Sequence, residues 1–139
     1  MPSDGSEREV TLYEAVGGML FFERLVDGFY ARVGTDPVLS PLYPDTDYGP
    51  AKRRLTLFLA QYWGGPTIYS DERGHPRLKM RHHPYVIGAA EQQHWMDAMT
   101  ASIDDLEPMA EVRTMLLEYF EKAAEHLRND GPLRFTGSA

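Results

Sequence analysis

Apolar residues return every three or four positions along most of this chain, and nowhere do apolar and polar residues alternate as a strand requires. Thr11-Leu12-Tyr13-Glu14 matches the capping box, in which the Thr11 hydroxyl and the Glu14 carboxylate satisfy the first N–H groups of a helix. Gly17-Gly18 ends that helix early and permits a sharp turn. Beyond it, Phe22, Val26, Phe29, Tyr30 and Val33 share one helical face, which turns Tyr30 inward. Asp36 to Pro50 holds Pro37, Pro41, Pro44 and Pro50, and predicts short helical turns and corners. Pro50 suits the first position of the next helix, whose stripe is Ala51, Leu55, Phe58, Leu59 and Tyr62, and Gly64-Gly65-Pro66 stops it. The polar segment from Thr67 to Arg77 lacks periodicity and reads as a long functional loop. Two longer helices follow. One runs from Gly88 to Asp104 with Gln92, Trp95, Met96, Met99 and Ile103 inward; the other runs from Pro108 to Arg128 with Val112, Leu116, Tyr119, Phe120, Ala123 and Leu127 inward.

The expectation is an all-α fold of short and long helices crossing at steep angles, with a pocket between them. Residues 1–10 bury almost nothing and read as a disordered leader, 11–128 as one domain, and 129–139 as a flexible tail. At 139 residues the domain can enclose a core and a flat cofactor. A formal net charge of −7 disfavours nucleic acid and anionic membrane surfaces as partners. No apolar run is long enough to span a bilayer and no signal peptide opens the chain, so the expected location is cytoplasmic. Against this acidic background Arg53, Arg54, Arg73, Arg77, Lys79 and Arg81 crowd the middle of the chain. That cluster is either a solvated face or the berth of a dianionic ligand.

The candidate chemistry lies in Lys79-Met80-Arg81-His82-His83-Pro84-Tyr85. Pro84 halts a short basic helix and places His82 in its last turn, with His83 just beyond. The chain has no cysteine, no His-Glu-x-x-His and no second histidine four residues after His82, which removes several common metal sites. A single protein ligand cannot hold a bare ion. It can hold the iron of a haem, whose porphyrin supplies the four in-plane donors.

Several motifs then carry a family resemblance: Tyr-Glu-Ala-Val-Gly-Gly at 13–18, Phe-Tyr at 29–30, Leu-x-x-x-Tyr-Pro at 39–44, and Gln-Tyr-Trp-Gly-Gly-Pro at 61–66. Arg-Gly-His-Pro-Arg-Leu-x-Met-Arg-His-x-Pro-Tyr at 73–85 and Trp95 complete the set. In this order and at these separations, the stretch from Thr11 to Leu127 resembles a group II (O-type) truncated haemoglobin, a globin-like two-over-two helical sandwich around haem b. The resemblance implies that His82 is the proximal iron ligand and that Tyr30, Tyr43 and Trp95 form the distal pocket. Bound dioxygen gathers negative charge, so O–H and N–H donors placed there stabilise it. Ala51 stands where larger globins carry a distal histidine, and Leu55, Phe58, Leu59 and Met99 are expected to form apolar walls against the porphyrin or behind the ligand. For the propionates the candidates are Arg54, Tyr69, His75, Lys79 and Arg81, with arginine contacts the strongest in kind.

Reversible binding of dioxygen is the first functional expectation, with nitric oxide and carbon monoxide as further diatomic ligands. A haem-dependent peroxidase or nitric oxide dioxygenase is the second. The latter needs a reductant, and without a Gly-x-Gly-x-x-Gly motif that role falls to a separate reductase. A homodimer through the last two helices and a cofactor-free helical interaction module stay open at this point.

Overall fold

The computed structural model describes residues 9–43, 47–73 and 87–127, and all regular structure among them is helical. The elements are α1 (Leu12–Ala15), α2 (Met19–Thr35), a tight helical turn at Ser40–Leu42, α3 (Gly49–Tyr62), α4 (Ile68–Arg73), α5 (Ala89–Asp105) and α6 (Ala110–Leu127). Helix α2 packs on both α3 and α5, α5 packs on α6, and α4 lies on α3. Two helix pairs, α2/α3 and α5/α6, therefore form the body of the domain.

Local chemistry explains the first turn. The Glu14 N–H donates to the Thr11 hydroxyl at 3.1 Å, and the Thr11 N–H donates to the Glu14 carboxylate at 3.2 Å. Gly17 and Gly18 follow at φ 94° and 93°, a left-handed pair that reverses the chain into α2 at little cost to glycine. The reversal lays Tyr13 flat against Phe22, with centroids 6.0 Å apart and planes at 8°. The same corner is closed by Gly65, where a Cβ would stand 2.6 Å from the Tyr13 ring and 2.8 Å from the Ala60 carbonyl oxygen.

The core fills from one face of each long helix. Phe22, Leu25, Val26, Phe29 and Val33 of α2 meet Leu59 and Ala60 of α3, Met99 and Ile103 of α5, and Val112, Leu116 and Phe120 of α6. Each large apolar side chain removed from water contributes about 1.5–3 kcal/mol, which outweighs the weak propensity of the β-branched positions. The one buried hydroxyl on α5, Ser102, donates to the Ala98 carbonyl at 2.8 Å and accepts from Arg32 at 3.2 Å.

Three expectations change on the structure. Helix α3 does not carry a single stripe: Thr56, Leu59 and Ala60 are buried, Ala51, Leu55 and Phe58 form a half-covered row, and Tyr62 is 54% exposed. On α6 the buried alanine is Ala124, with Ala123 half-buried. The segment begun by Thr67 is not all loop, because α4 occupies its first part. That helix is held by α3: Gln61 accepts from the Ser70 N–H at 3.0 Å and donates to its hydroxyl at 2.6 Å, and Arg53 grips the Glu72 carboxylate through two bonds of 2.7 and 2.9 Å. Its stability is tertiary, so no periodicity announces it.

Candidate functional site

Three aromatic residues from distant parts of the chain converge. Tyr30 sits near the end of α2 at 6% exposure because the apolar face of that helix carries it inward. Tyr43 follows the tight turn at Ser40–Leu42, and its ring meets Tyr30 edge-on at 5.6 Å and 87°. Trp95, on α5, lines the same small cavity as Tyr43, and its side chain acts to lower the pKa of the Tyr43 phenol. An indole is a donor only, so its influence on the phenol is that of an N–H directed at an acceptor oxygen. Phe29 backs the group, with centroids 5.3 Å from Tyr30 and 5.4 Å from Trp95.

The electrostatics follow from this packing. Burial pushes the Tyr30 phenol up to about 12, against the pull of the Arg54 guanidinium. Burial also drives Tyr43 well above the ordinary phenol range, helped by Tyr30 and opposed by the Trp95 side chain. Both groups are neutral donors at physiological pH, as a pocket stabilising a partly negative ligand requires. A cavity of about 20 Å³ adjoins Tyr43, lined by Leu42, Tyr43, Ile87, Glu91, Gln92, Trp95 and Ala124. That is room for one water molecule or a comparably small ligand.

Two contributors have no counterpart among the sequence candidates. Tyr48, which precedes α3, packs its ring on Tyr30 at 5.2 Å and 42°. Asp36 ends α2, and its carboxylate accepts the Val38 and Leu39 N–H groups at 2.7 and 3.0 Å and meets His94 Nδ1 at 2.9 Å. The turn leading to Tyr43 is thereby tied to the residue just before Trp95. An aspartate followed by proline at a helix end signals such a turn, but nothing in the sequence pairs it with His94.

Arg54, Leu55 and Phe58 lie on α3, all half-buried, and Leu55 and Phe58 belong to its half-covered apolar row. Tyr69 is 2% exposed and packs edge-on against Phe58 at 5.4 Å. His75, Lys79, Arg81 and His82 lie outside the described residues, as do residues 1–8 of the leader and the whole of the tail.

A family model described as bacterial-like globin matches residues 11–129. Group 2 truncated haemoglobin YjbI of Bacillus subtilis is 38% identical over 117 residues, which cover 84% of this chain and 87% of that one. The crystal structure of a thermostable haemoglobin from Thermobifida fusca superposes with a TM-score of 0.83 at 54% identity, over 87% of this chain and 98% of that chain. Truncated oxygen-avid haemoglobin from Bacillus subtilis gives a TM-score of 0.80 at 36% identity, over 86% of this chain and all of the other. The fold and the pocket define a haem globin of the two-over-two type. The chain belongs to the bacterial-like globins, and within them to the group II truncated haemoglobins.

The residues present fit haem b, the cofactor of that family. A flat porphyrin needs an apolar wall, which the row Ala51, Leu55 and Phe58 offers, and a cation near its carboxylates, which Arg54 can supply. It also needs polar groups directed at the iron's open face, and two phenols and an indole are the donors at hand. No helix among the described residues is long and apolar enough to cross a membrane.

Proposed function

We propose that this protein binds dioxygen reversibly at a haem whose iron is held by His82, and that Tyr30, Tyr43 and Trp95 stabilise the bound gas. The observation carrying the reading is that Tyr43 and Trp95 line one small cavity, with the Tyr30 ring set edge-on against Tyr43. When bound, the haem supplies an iron that takes a diatomic ligand and shifts electron density onto it. A hydroxyl that accepts from an indole still carries one O–H by its chemistry, and accepting polarises it toward stronger donation. Tyr43 therefore acts as a donor reinforced from behind by Trp95. Tyr30 supplies a second phenol, kept neutral by burial and oriented by Phe29 and Tyr48. Asp36 positions Tyr43 through the turn it caps, and Leu55 and Phe58 wall the porphyrin. Arg54, Tyr69, His75, Lys79 and Arg81 hold its propionates. Nitric oxide and carbon monoxide bind at the same position, and the protein works in the cytoplasm.

Several donors on one ligand slow its release, which suits chemistry on the gas as well as carriage. Stopped-flow mixing of the oxygenated protein with dithionite tests the proposal. Slow dissociation that accelerates in Tyr43→Phe supports it, and dissociation unaffected by Tyr43→Phe, Tyr30→Phe and Trp95→Phe alike overturns the network. A second reading, peroxide reduction with an external electron donor, is favoured by an observation of its own: aromatic rings continue from Trp95 to the surface.

A further inference from the structure

Trp95 is the inner end of an unbroken succession of rings. Its centroid lies 5.8 Å from Phe120, Phe120 lies 5.1 Å from Tyr119 of the same helix, and Tyr119 lies 4.4 Å from Tyr62 at the end of α3. Every step falls within the range of direct ring contact. Phe120 is 2% exposed and Tyr62 is 54% exposed, so the line runs from the core to solvent. Phe58, on the apolar row of α3, reaches the same outlet at 6.3 Å from Tyr62. Packing alone does not call for this composition, because a phenol exposed over half its area adds little to a core.

We infer that Trp95, Phe120, Tyr119 and Tyr62 form an electron path, and that Tyr62 is a surface oxidation site at which a small phenol or aromatic amine delivers electrons for peroxide reduction in the pocket. The inference rests on the haem reading above. Reducing a hydroperoxide to an alcohol and water breaks the O–O bond and consumes two electrons and two protons. Each electron leaves Trp95 for the pocket and is replaced along the line from Tyr62, with the buried benzyl ring of Phe120 bridging rather than storing charge. Burial, with Tyr62 beside it, pushes the Tyr119 phenol well above its ordinary range. Tyr119 therefore sheds its proton poorly, and the oxidising equivalent passes on to Tyr62, whose O–H gives its proton to water. The external phenol then donates one hydrogen atom to the Tyr62 radical and becomes a radical itself. Two such donations balance one peroxide.

The test treats the ferric haem protein with one equivalent of hydrogen peroxide in the presence of a nitroso spin trap, followed by peptide mapping. Guaiacol oxidation and peroxide consumption without guaiacol are measured in parallel. The Soret band and peroxide loss are recorded first; a protein that takes up no haem overturns the haem reading together with the inference, and one that takes up haem but consumes no peroxide overturns the inference alone. Given both, the adduct falls on Tyr62. In Tyr62→Phe that adduct is lost and guaiacol turnover falls about tenfold, equivalent to about 1.4 kcal/mol, while peroxide consumption and the oxygen dissociation rate are unchanged. In Tyr119→Phe the Tyr62 adduct is depleted although its phenol is intact. Tyr13→Phe, whose ring stacks on Phe22, serves as the control and changes neither readout. Adducts confined to Tyr30 and Tyr43, or guaiacol turnover that is the same in Tyr62→Phe as in the parent, overturns the electron path and leaves the haem reading standing.

Discussion

Replacing Trp95 by phenylalanine removes the indole N–H and keeps an aromatic ring against Phe29 and Phe120. Its size of effect tells which way the indole acts. If Trp95 works only by polarising Tyr43, the loss is that of a neutral hydrogen bond, about 0.5–1.5 kcal/mol. At about 1.4 kcal/mol per decade, that accelerates oxygen release by roughly two- to tenfold. If the indole instead turns to the charge-bearing ligand once it is bound, about 1.5–3 kcal/mol is lost and release quickens by roughly ten- to two-hundredfold. Stopped-flow dissociation in a double-mutant cycle with Tyr43→Phe separates the two routes. We expect the effect of Trp95→Phe to collapse in the Tyr43→Phe background, because the proposed relay runs from the indole through the Tyr43 phenol that it influences. Fully additive effects would refute the relay, and an unchanged rate in the single variant would remove Trp95 from the network. A thermal melt of each variant guards against a trivial loss of packing.

Three further outcomes follow from particular contacts. Against a desolvation that would raise it, the hydrogen bonds from His94 and from the Leu39 and Val38 N–H groups hold the Asp36 carboxyl below its usual range. Its stabilising effect is therefore present above about pH 4, the ordinary aspartate value, and is lost as pH falls through the depressed folded value. Asp36→Asn should melt earlier than the parent at neutral pH, with the gap closing in acid, and a gap that widens in acid would contradict the assignment. Tyr30, at about 12 in the fold and about 10 unfolded, favours the folded state fully below about pH 10 and ceases to as pH climbs through about 12. A near-ultraviolet phenolate titration should lose one phenol from its high-pH component in Tyr30→Phe, and a loss of a component near pH 10 instead would place Tyr30 in solvent. Gly65→Ala pushes a methyl group to 2.8 Å from the Ala60 carbonyl oxygen, and should cost about 1–3 kcal/mol by overpacking. An unchanged urea midpoint would show that the corner yields.

Wherever one helix carries its own signal, sequence and structure agree. The capping box at Thr11 and Glu14, the glycine reversal at 17–18, the inward face from Phe22 to Val33 and the two closing helices within about two residues of their ends are all local features. The misjudged features depend on partners elsewhere. Helix α4 has no stripe of its own and exists because Gln61 and Arg53 on α3 anchor it. Helix α3 shows one apolar pattern where the fold uses two faces, and periodicity cannot tell a core face from a wall half-covered by its neighbours. Helical spacing turned Tyr30 inward, but that Tyr43 and Trp95 come near it was expected only through resemblance to a family, since 52 positions separate the last two and a turn brings them together. Tyr48 and Asp36 escaped because a proline-rich corner, not a repeat, aims them at the site.

The claim on which the rest depends is that His82 holds the iron of a haem, and absorption spectroscopy with resonance Raman scattering on the purified protein tests it most directly. Titration with haemin should saturate at one equivalent with a sharp Soret band, and the reduced protein should show an iron–histidine stretch that disappears in His82→Ala and survives in His83→Ala. An iron–histidine stretch that persists in His82→Ala, or a Soret band no different from that of free haemin, would contradict the account.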